Sequence, residues 1–281
     1  MKKILKILHK YRIVLYILIF LICIFSIAFV LRTQFFLSDN IIDYNQNDST
    51  EEDENNQIKS NFAGLFKNKV EILQDDLPDI TKIHENYDLV VSAYTYQEKI
   101  QNCELDVSIP YINIKSDMIS KQNKETSQNF REKAEELSKS NDINNTIYNV
   151  RYQAYVQNNI LSLVIRAELK EDGKNQKIMI QTYNYDLIKN RQVQLEELLK
   201  YKNVSTSDAK AKIEKTIKDV QEQNNSFSEQ GYEMYKRDYT SDIYKLENTK
   251  QYFLGNNGIL YLIYAYGNND YTSDFDMVIF K

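Results

Sequence analysis

The sequence predicts an α+β fold, an antiparallel sheet with packed helices, preceded by one N-terminal transmembrane helix. Three observations support this prediction. Several runs alternate apolar and polar residues and are joined by turn dipeptides, which is typical of antiparallel strands. Two segments carry apolar residues at helical spacing. A run of 19 residues near the start, from Ile13 to Leu31, contains no charged side chain.

A membrane span is predicted for residues 13–31, which read IVLYILIFLICIFSIAFVL. At about 1.5 Å per residue, this helix would cross roughly the 30 Å hydrocarbon core of a bilayer. Five basic residues precede the run and only Arg32 follows closely, so residues 1–12 are predicted as a cytoplasmic tail and the remainder as extracytoplasmic. A cleaved signal peptide is the alternative, because Ser26-Ile27-Ala28 has small-x-small spacing, but the apolar run continues to Leu31. We therefore expect a single-pass protein of the cell membrane.

Residues 32–69 are predicted as a disordered acidic stalk, because this stretch contains the polar run NIIDYNQNDSTEEDENNQIKS. The basic tail and Arg32 hold six positive charges, so residues 33–281 carry a net charge of −11 in a chain whose total is −5. Such acidity argues against nucleic acid as a partner and suits a basic protein. The simpler alternative is that the acidity only keeps an extracytoplasmic domain soluble.

A first α+β subdomain is predicted over residues 70–190. The segments YDLVVSAYTYQEKI (87–100) and ELDVSIPYINI (104–114) alternate as strands. The second strand is expected to end near Pro110, because proline cannot donate a hydrogen bond to a ladder. Residues 115–138 then form a weakly amphipathic helix on the sheet.

Three antiparallel neighbouring strands are predicted next, over residues 148–156, 161–169 and 178–185. Asn158-Asn159 and Asp172-Gly173 are the turns expected between them, since both dipeptides favour tight hairpins.

A second α+β subdomain is predicted over residues 191–281. It contains a helix over 205–223 with Ser/Thr capping residues, and a further helical piece over 228–236. A hairpin through Asn257-Gly258 and a last apolar strand, DFDMVIF, complete it.

Three segments carry a resemblance to a known family. They are IPYIN (109–113) followed by a helix, YNYDLIKNRQVQLEELL (183–199), and the terminal NNGILYLIYAYG with DFDMVIF. Together they resemble the extracytoplasmic domains of lysozyme-sensing anti-sigma-V factors, which also precede the catalytic module of some bacterial peptidoglycan deacetylases. In this resemblance Asn190 stands near an expected glycine and is predicted to adopt the left-handed conformation.

The resemblance implies a binding or sensor domain rather than either complete protein. About a dozen residues before the membrane are too few for a domain that grips a sigma factor. The deacetylase metal needs one Asp and two His, and His84 is the one histidine after the predicted span.

No familiar catalytic motif occurs in the sequence. Cys103 and His84 are a candidate reactive pair, and the carboxylates Asp186, Glu196 and Glu197 are candidate catalytic or cation-binding groups. The alternatives are structural: a small core cysteine, a surface or hydrogen-bonded histidine, a turn at Asp186, and the first turn of a helix at Glu196 and Glu197. A calcium loop at Asn269, Asp270, Asp274 and Asp276 competes with a polar hairpin connection. We expect no enzyme activity, no catalytic residue, no cofactor and no metal.

A binding surface is predicted at the tyrosine-rich terminal hairpin, with Tyr264, Tyr266, Asn269 and Tyr271 as ligand-binding residues. The expected protein is a membrane-anchored extracytoplasmic binding or sensor protein of the bacterial cell envelope. Its expected partners are the cytoplasmic membrane and either a basic extracellular protein such as lysozyme or a cell-wall glycan. The alternatives are an enzyme that modifies peptidoglycan or another polysaccharide, and a structural envelope subunit.

Overall fold

The computed structural model describes residues 51–100, 102–140, 145–231, 235–266 and 274–281. These residues form a mixed α+β fold with a seven-stranded, mostly antiparallel sheet, a three-stranded antiparallel sheet and a few helices. The predicted fold class is confirmed to that extent. The predicted transmembrane helix lies outside the described residues. Within them, no helix is long and apolar enough to cross a membrane.

The larger sheet contains the strands predicted over residues 87–185 and two short strands that were not predicted. Its members are β1 (Lys69–Ile72), β2 (Val90–Ile100), β3 (Cys103–Ile112), β4 (Ile147–Gln157), β5 (Ile160–Lys170), β6 (Lys177–Asp186) and β7 (Arg191–Gln192). The spatial order is β2-β3-β4-β5-β6-β7, and β1 pairs with β4. The antiparallel neighbours β4, β5 and β6 are confirmed as predicted.

Two pairings in this sheet are parallel, which the sequence did not predict. β3 pairs with the first half of β4, and β1 pairs with the second half of the same strand. The chain between β3 and β4 contains a long helical segment, and a connection of that length permits a parallel crossover.

Asparagine makes most of the left-handed turns in the described part of the chain. Seven described residues other than glycine have a positive φ, and all seven are asparagine. They include Asn158 and Asn159 at the β4–β5 hairpin, and Asn190, whose left-handed conformation is confirmed at a φ of 53°. Asparagine tolerates this region better than other residues with a side chain, which compensates for the scarcity of glycine.

Pro110 does not end its strand, contrary to the prediction. β3 pairs with β4 only from Glu104 to Val107, so no strand on that side requires a main-chain N–H at Pro110. On the other side Pro110 faces Ser92, next to a register shift in β2. The irregular pairing accommodates the missing N–H, and β3 continues to Ile112.

One face of the large sheet is covered by the helical segment predicted over 115–138. It consists of α2 (Asp117–Thr126), a π-helical turn (Ser127–Arg131) and α3 (Glu132–Lys139). Its buried apolar residues, Ile119, Phe130, Ala134 and Leu137, pack against the inner faces of β3 to β6. This layer is the largest core of the protein.

The smaller sheet packs on the opposite face of the larger one. It contains β8 (Gln251–Leu254), β9 (Leu260–Tyr266) and β10 (Asp274–Phe280), in the order β10-β9-β8. Its far side is covered by α4 (Leu195–Tyr201) and α5 (Thr206–Glu229). The described chain is therefore layered as helix, sheet, sheet, helix.

Among the described residues, β8 has no strand partner on its outer side, so some of its main-chain groups need other partners. Polar side chains of the larger sheet bind these groups and thereby join the two sheets. The hydroxyl of Thr182 accepts from the N–H of Tyr252 at 3.0 Å, and the amide of Asn184 donates to the carbonyl of Tyr252 at 2.8 Å. The hydroxyl of Ser162 accepts from the N–H of Leu254 at 3.3 Å. These contacts explain why Ser162 and Asn184 are polar and yet buried.

The second half of the predicted disordered stalk, residues 51–69, is folded in the structure. Residues Glu51–Ser60 form α1, and Phe62–Leu65 form a 3₁₀ turn. Phe62 and Phe66 are buried between the sheets. Two large aromatic side chains supply enough apolar area to fix a polar segment on the core, and composition alone did not reveal that role.

The second predicted subdomain also needs correction. α5 extends through Glu229, with Gln230 as its C-cap and Gly231 following at a φ of 91°, so no separate helix starts at residue 228. The predicted boundary between residues 190 and 191 falls inside the β6–β7 hairpin, and Glu51–Lys281 form one compact unit.

Candidate functional site

The predicted ligand-binding residue Tyr264 is a core residue. It lies on β9 with 4% of its surface exposed, and its hydroxyl is 3.0 Å from the Thr249 hydroxyl. Burial raises its pKa to about 12. The side chain of Tyr266, together with Asn269 and Tyr271, lies outside the part of the chain that is described. For these three residues the binding surface stays a prediction.

A polar cleft lies between the helical layer and the free edge of β6. Its volume is about 480 Å³, within the range of roughly 300–1,000 Å³ typical of small-molecule sites. It is lined by Gln122, Glu125, Asn129, Phe130, Met179, Ile180, Gln181, Thr182 and Gln251. Four of these nine residues carry a primary amide side chain, and one is charged.

The π-helical turn shapes the helical wall of the cleft. Phe130 is buried in the main core, and its carbonyl accepts a 3.1 Å hydrogen bond from the hydroxyl of fully buried Tyr148. The preceding residue, Asn129, reaches across to β6. π-helical turns inside α-helices are rare and occur often at functional sites, because the extra residue redirects neighbouring side chains.

Hydrogen bonds between side chains fix the amides of this wall. Nδ2 of Asn129 donates to the side-chain oxygen Oε1 of Gln181 at 2.8 Å, and Nε2 of Gln181 donates to the Thr126 hydroxyl at 2.9 Å. Gln122 donates to the same hydroxyl at 3.4 Å. On the opposite side, Oε1 of Gln251 accepts from the N–H of Thr182 at 2.8 Å. The amides are thus held in place by one another, without a bound ligand.

Part of each fixed amide remains available for a ligand. Oδ1 of Asn129, Oε1 of Gln122 and Nε2 of Gln251 make no hydrogen bond to the described residues. The outer edge of β6 adds main-chain groups, because β7 covers only Tyr185 and Asp186. The cleft therefore offers both donors and acceptors in a fixed arrangement.

The charge in the cleft is small. Glu125 is its one charged lining residue, and Lys121 on the same helix approaches it at 3.9 Å. Such an exposed pair contributes little to stability. Most of the polar groups in the cleft are therefore neutral amides.

Comparisons with known protein families and with curated proteins found no match.

The carboxylates of the segment 183–199 have structural roles. Oδ1 of Asp186 accepts from the N–H groups of Ile188 at 3.0 Å and Lys189 at 2.9 Å, which forms the turn after β6. Burial opposes ionisation of Asp186, but these N–H donors keep its pKa below the ordinary value. Glu196 and Glu197 lie in the first turn of α4, as predicted.

Glu197 is the most perturbed carboxylate of this segment. It forms a two-pronged ion pair with Arg191, in which Nη1 lies 2.7 Å from Oε2, and it accepts from the N–H of Gln194 at 3.1 Å. These contacts lower its pKa from 4.5 to about 2. The carboxylate oxygens of Glu197 thus already accept hydrogen bonds at the start of α4.

The depressed pKa of Glu197 predicts a pH-dependent stability. The charged carboxylate stabilises the fold above its unfolded-state pKa of about 4.5, and this contribution is lost as the pH falls towards 2. Since the pair is about 40% exposed, we expect Glu197→Gln to cost only about 0.5–1 kcal/mol at pH 7 and nothing at pH 2. Urea unfolding at both pH values measures this. The control Glu196→Gln, at an exposed neighbour, should show a much smaller difference; equal effects of the two variants would contradict the assignment.

Cys103 and His84 do not form a reactive pair. Cys103 begins β3, whereas His84 binds Asn113 just beyond the other end of that ten-residue strand. At about 3.3 Å per residue, the two side chains are separated by roughly 30 Å. Burial also raises the pKa of the Cys103 thiol, which disfavours the nucleophilic thiolate.

A metal site has no support among the described residues, where no group of three or more His, Cys, Asp or Glu side chains is suitably placed. Of the considered calcium loop, Asn269 and Asp270 lie outside the described residues. Asp276 is buried in an ion pair with Arg237. Its carboxylate is therefore already paired with a positively charged side chain of the protein.

Sequence reasoning missed the amide-lined cleft. Its residues come from three distant segments, 122–130, 179–182 and 251, and asparagine and glutamine are common throughout the chain. No local pattern separates these amides from ordinary surface residues. The signal that could have helped is the alternation of β6, which places Met179 and Gln181 on the same side of the strand.

Proposed function

We propose that this protein is a single-pass, membrane-anchored binding protein of the bacterial cell envelope, whose extracytoplasmic domain binds an uncharged cell-wall glycan in the amide-lined cleft. The cleft carries the proposal. Fixed amides with free donors and acceptors complement hydroxyl and acetamido groups, and Met179, which is 36% exposed, provides apolar surface for the carbon–hydrogen face of a sugar ring. The uncharged run at residues 13–31 and the basic tail before it support the anchor and its orientation.

Lysozyme, or another basic extracellular protein, is the second candidate ligand. The net charge of −11 over residues 33–281 favours it, because opposite charges accelerate encounter. The family resemblance points in the same direction. This mode of binding would depend steeply on salt, whereas binding of an uncharged glycan by the amides of the cleft would not.

Calorimetric titration of the full-length protein with a tetramer of N-acetylglucosamine tests the proposal. We expect the double variant Gln122→Ala/Asn129→Ala, which removes two amides that each have a free acceptor, to weaken binding about fivefold or more, because each lost neutral hydrogen bond contributes about 0.5–1.5 kcal/mol. The matched control is Gln97→Ala, which removes an exposed amide from β2, and it should bind like the unmodified protein.

The other outcomes identify the competing functions. Saturable binding of lysozyme at low salt without any binding of the tetramer would favour the second candidate. Binding of a sugar-free stem peptide alone would assign the cleft to peptides, which could pair with the β6 edge. Release of sugars or acetate from purified cell wall would show an enzyme. Binding of none of these ligands would favour a structural subunit.

A further inference from the structure

A second groove meets the amide-lined cleft at Gln251. Its volume is about 430 Å³, and it is lined by Asp242, Ile243, Asn248, Lys250, Gln251, Ile263, Tyr264 and Ala265. Gln251 lines both concavities. Its Oε1 accepts from the N–H and the hydroxyl of Thr182 at 2.8 and 3.2 Å, so the side chain is fixed between them.

A hydrogen bond and an ion pair within the protein hold the residues at the rim of the second groove. The carbonyl of Asp242 accepts from the Asn248 amide at 2.8 Å, and the carboxylate of Asp242 pairs with Lys245 at 2.6 Å. These contacts hold two 3₁₀ turns, Asp242–Tyr244 and Leu246–Asn248, at the rim. The buried hydroxyls of Thr249 and Tyr264 satisfy each other below it.

The second groove is more apolar than the first. Ile243 exposes 45% of its surface at the rim, and the exposed Ala265 contributes further apolar atoms. The first cleft offers amides for hydrogen bonding, while this one offers an aliphatic surface beside Lys250. The two chemistries alternate along one groove, as they do along a chain of acetylated sugars, which presents polar groups and apolar ring faces in turn.

We infer that the two concavities are adjacent subsites of one elongated groove, and that the ligand is an oligomer of N-acetylated hexose units spanning Gln251. This inference rests on the proposed function. Because the two concavities share Gln251, we expect the second subsite to hold the next unit of the same polymer. Together the two volumes approach the upper end of the range of about 1,000 Å³ for ligand sites.

The test compares a dimer with a hexamer of N-acetylglucosamine, using the full-length protein and the variant Ile243→Ser. We expect the hexamer to bind at least tenfold more tightly than the dimer, and Ile243→Ser to remove most of that gain while leaving the affinity for the dimer unchanged. The matched control is Ile188→Ser, which alters an isoleucine with 60% exposure in the turn after β6 and should change neither affinity.

The outcomes separate this inference from the proposed function. Equal affinities for the two lengths, or a hexamer gain that Ile243→Ser leaves intact, would overturn the second subsite while leaving glycan binding in place. Failure of both oligomers to bind would instead overturn the proposed function. Thermal melting of each variant excludes loss of the fold, because Ile243 is half exposed and its replacement leaves no buried cavity.

Discussion

Replacing Asp276 by alanine is expected to lower the free energy of unfolding by about 3–5 kcal/mol. Asp276 lies on β10, and its carboxylate approaches the Arg237 guanidinium at 3.3 Å. The side chains of the two residues are only 4% and 7% exposed, and the hydroxyl of Tyr244 donates to the same carboxylate at 2.9 Å. Burial raises the pKa of Asp276, whereas Arg237 and Tyr244 oppose that rise. Removing the carboxylate would take a buried acceptor away from both Arg237 and Tyr244.

Urea unfolding of three variants measures this effect. The triple variant Arg237→Met/Tyr244→Phe/Asp276→Leu should recover most of the lost stability, since it removes the charges and the dependent hydroxyl together. Asp274→Ala, at an exposed position on the same strand, should change stability by no more than about 0.5 kcal/mol. A loss below about 1 kcal/mol for Asp276→Ala would contradict a buried ion pair in this place.

Replacing Phe62 by alanine is also expected to cost about 3–5 kcal/mol, because the cavity would open in the core between the sheets. The ring of Phe62 is 2% exposed and lies 5.2 Å from the rings of both Phe66 and Phe275. Phe253 and Tyr261 lie further away, at 6.4 and 6.2 Å. A cost of this size would show that the segment before β1 is part of the folded unit.

Thermal or urea unfolding of Phe62→Ala measures this cost. The matched control is Phe227→Ala on α5, where 39% of the side chain is exposed and the same substitution should cost much less. A disordered stalk through residue 69 makes the opposite prediction, namely that Phe62→Ala leaves stability unchanged.

The elements that the sequence predicted well are those with local signals. Asn158-Asn159 and Asn257-Gly258 specify their turns through residues that tolerate positive φ, and alternation specifies the strands beside them. The capped start of α5 at Ser205 is similarly local, since its hydroxyl accepts from the N–H of Asp208 at 3.1 Å.

The features that the sequence did not predict depend on contacts between distant residues. The four residues of β1 have no pattern that selects a parallel partner 84 positions away, as between Lys69 and Gln153. Phe62 follows a polar run, so its burial depends on aromatic rings more than 190 residues later. The cleft likewise requires β6, the π-helical turn and Gln251 together, and none of these identifies a site alone.

Methionine methyl groups report directly whether the ligand binds in the amide-lined cleft. Met179 lines the cleft and is 36% exposed, while Met277 is 4% exposed between the sheets. In a ¹³C-methyl NMR titration of the full-length protein with the N-acetylglucosamine hexamer, we predict a saturable shift of the Met179 signal and a far smaller shift of the Met277 signal. Saturable binding that leaves the Met179 signal unchanged would contradict the account.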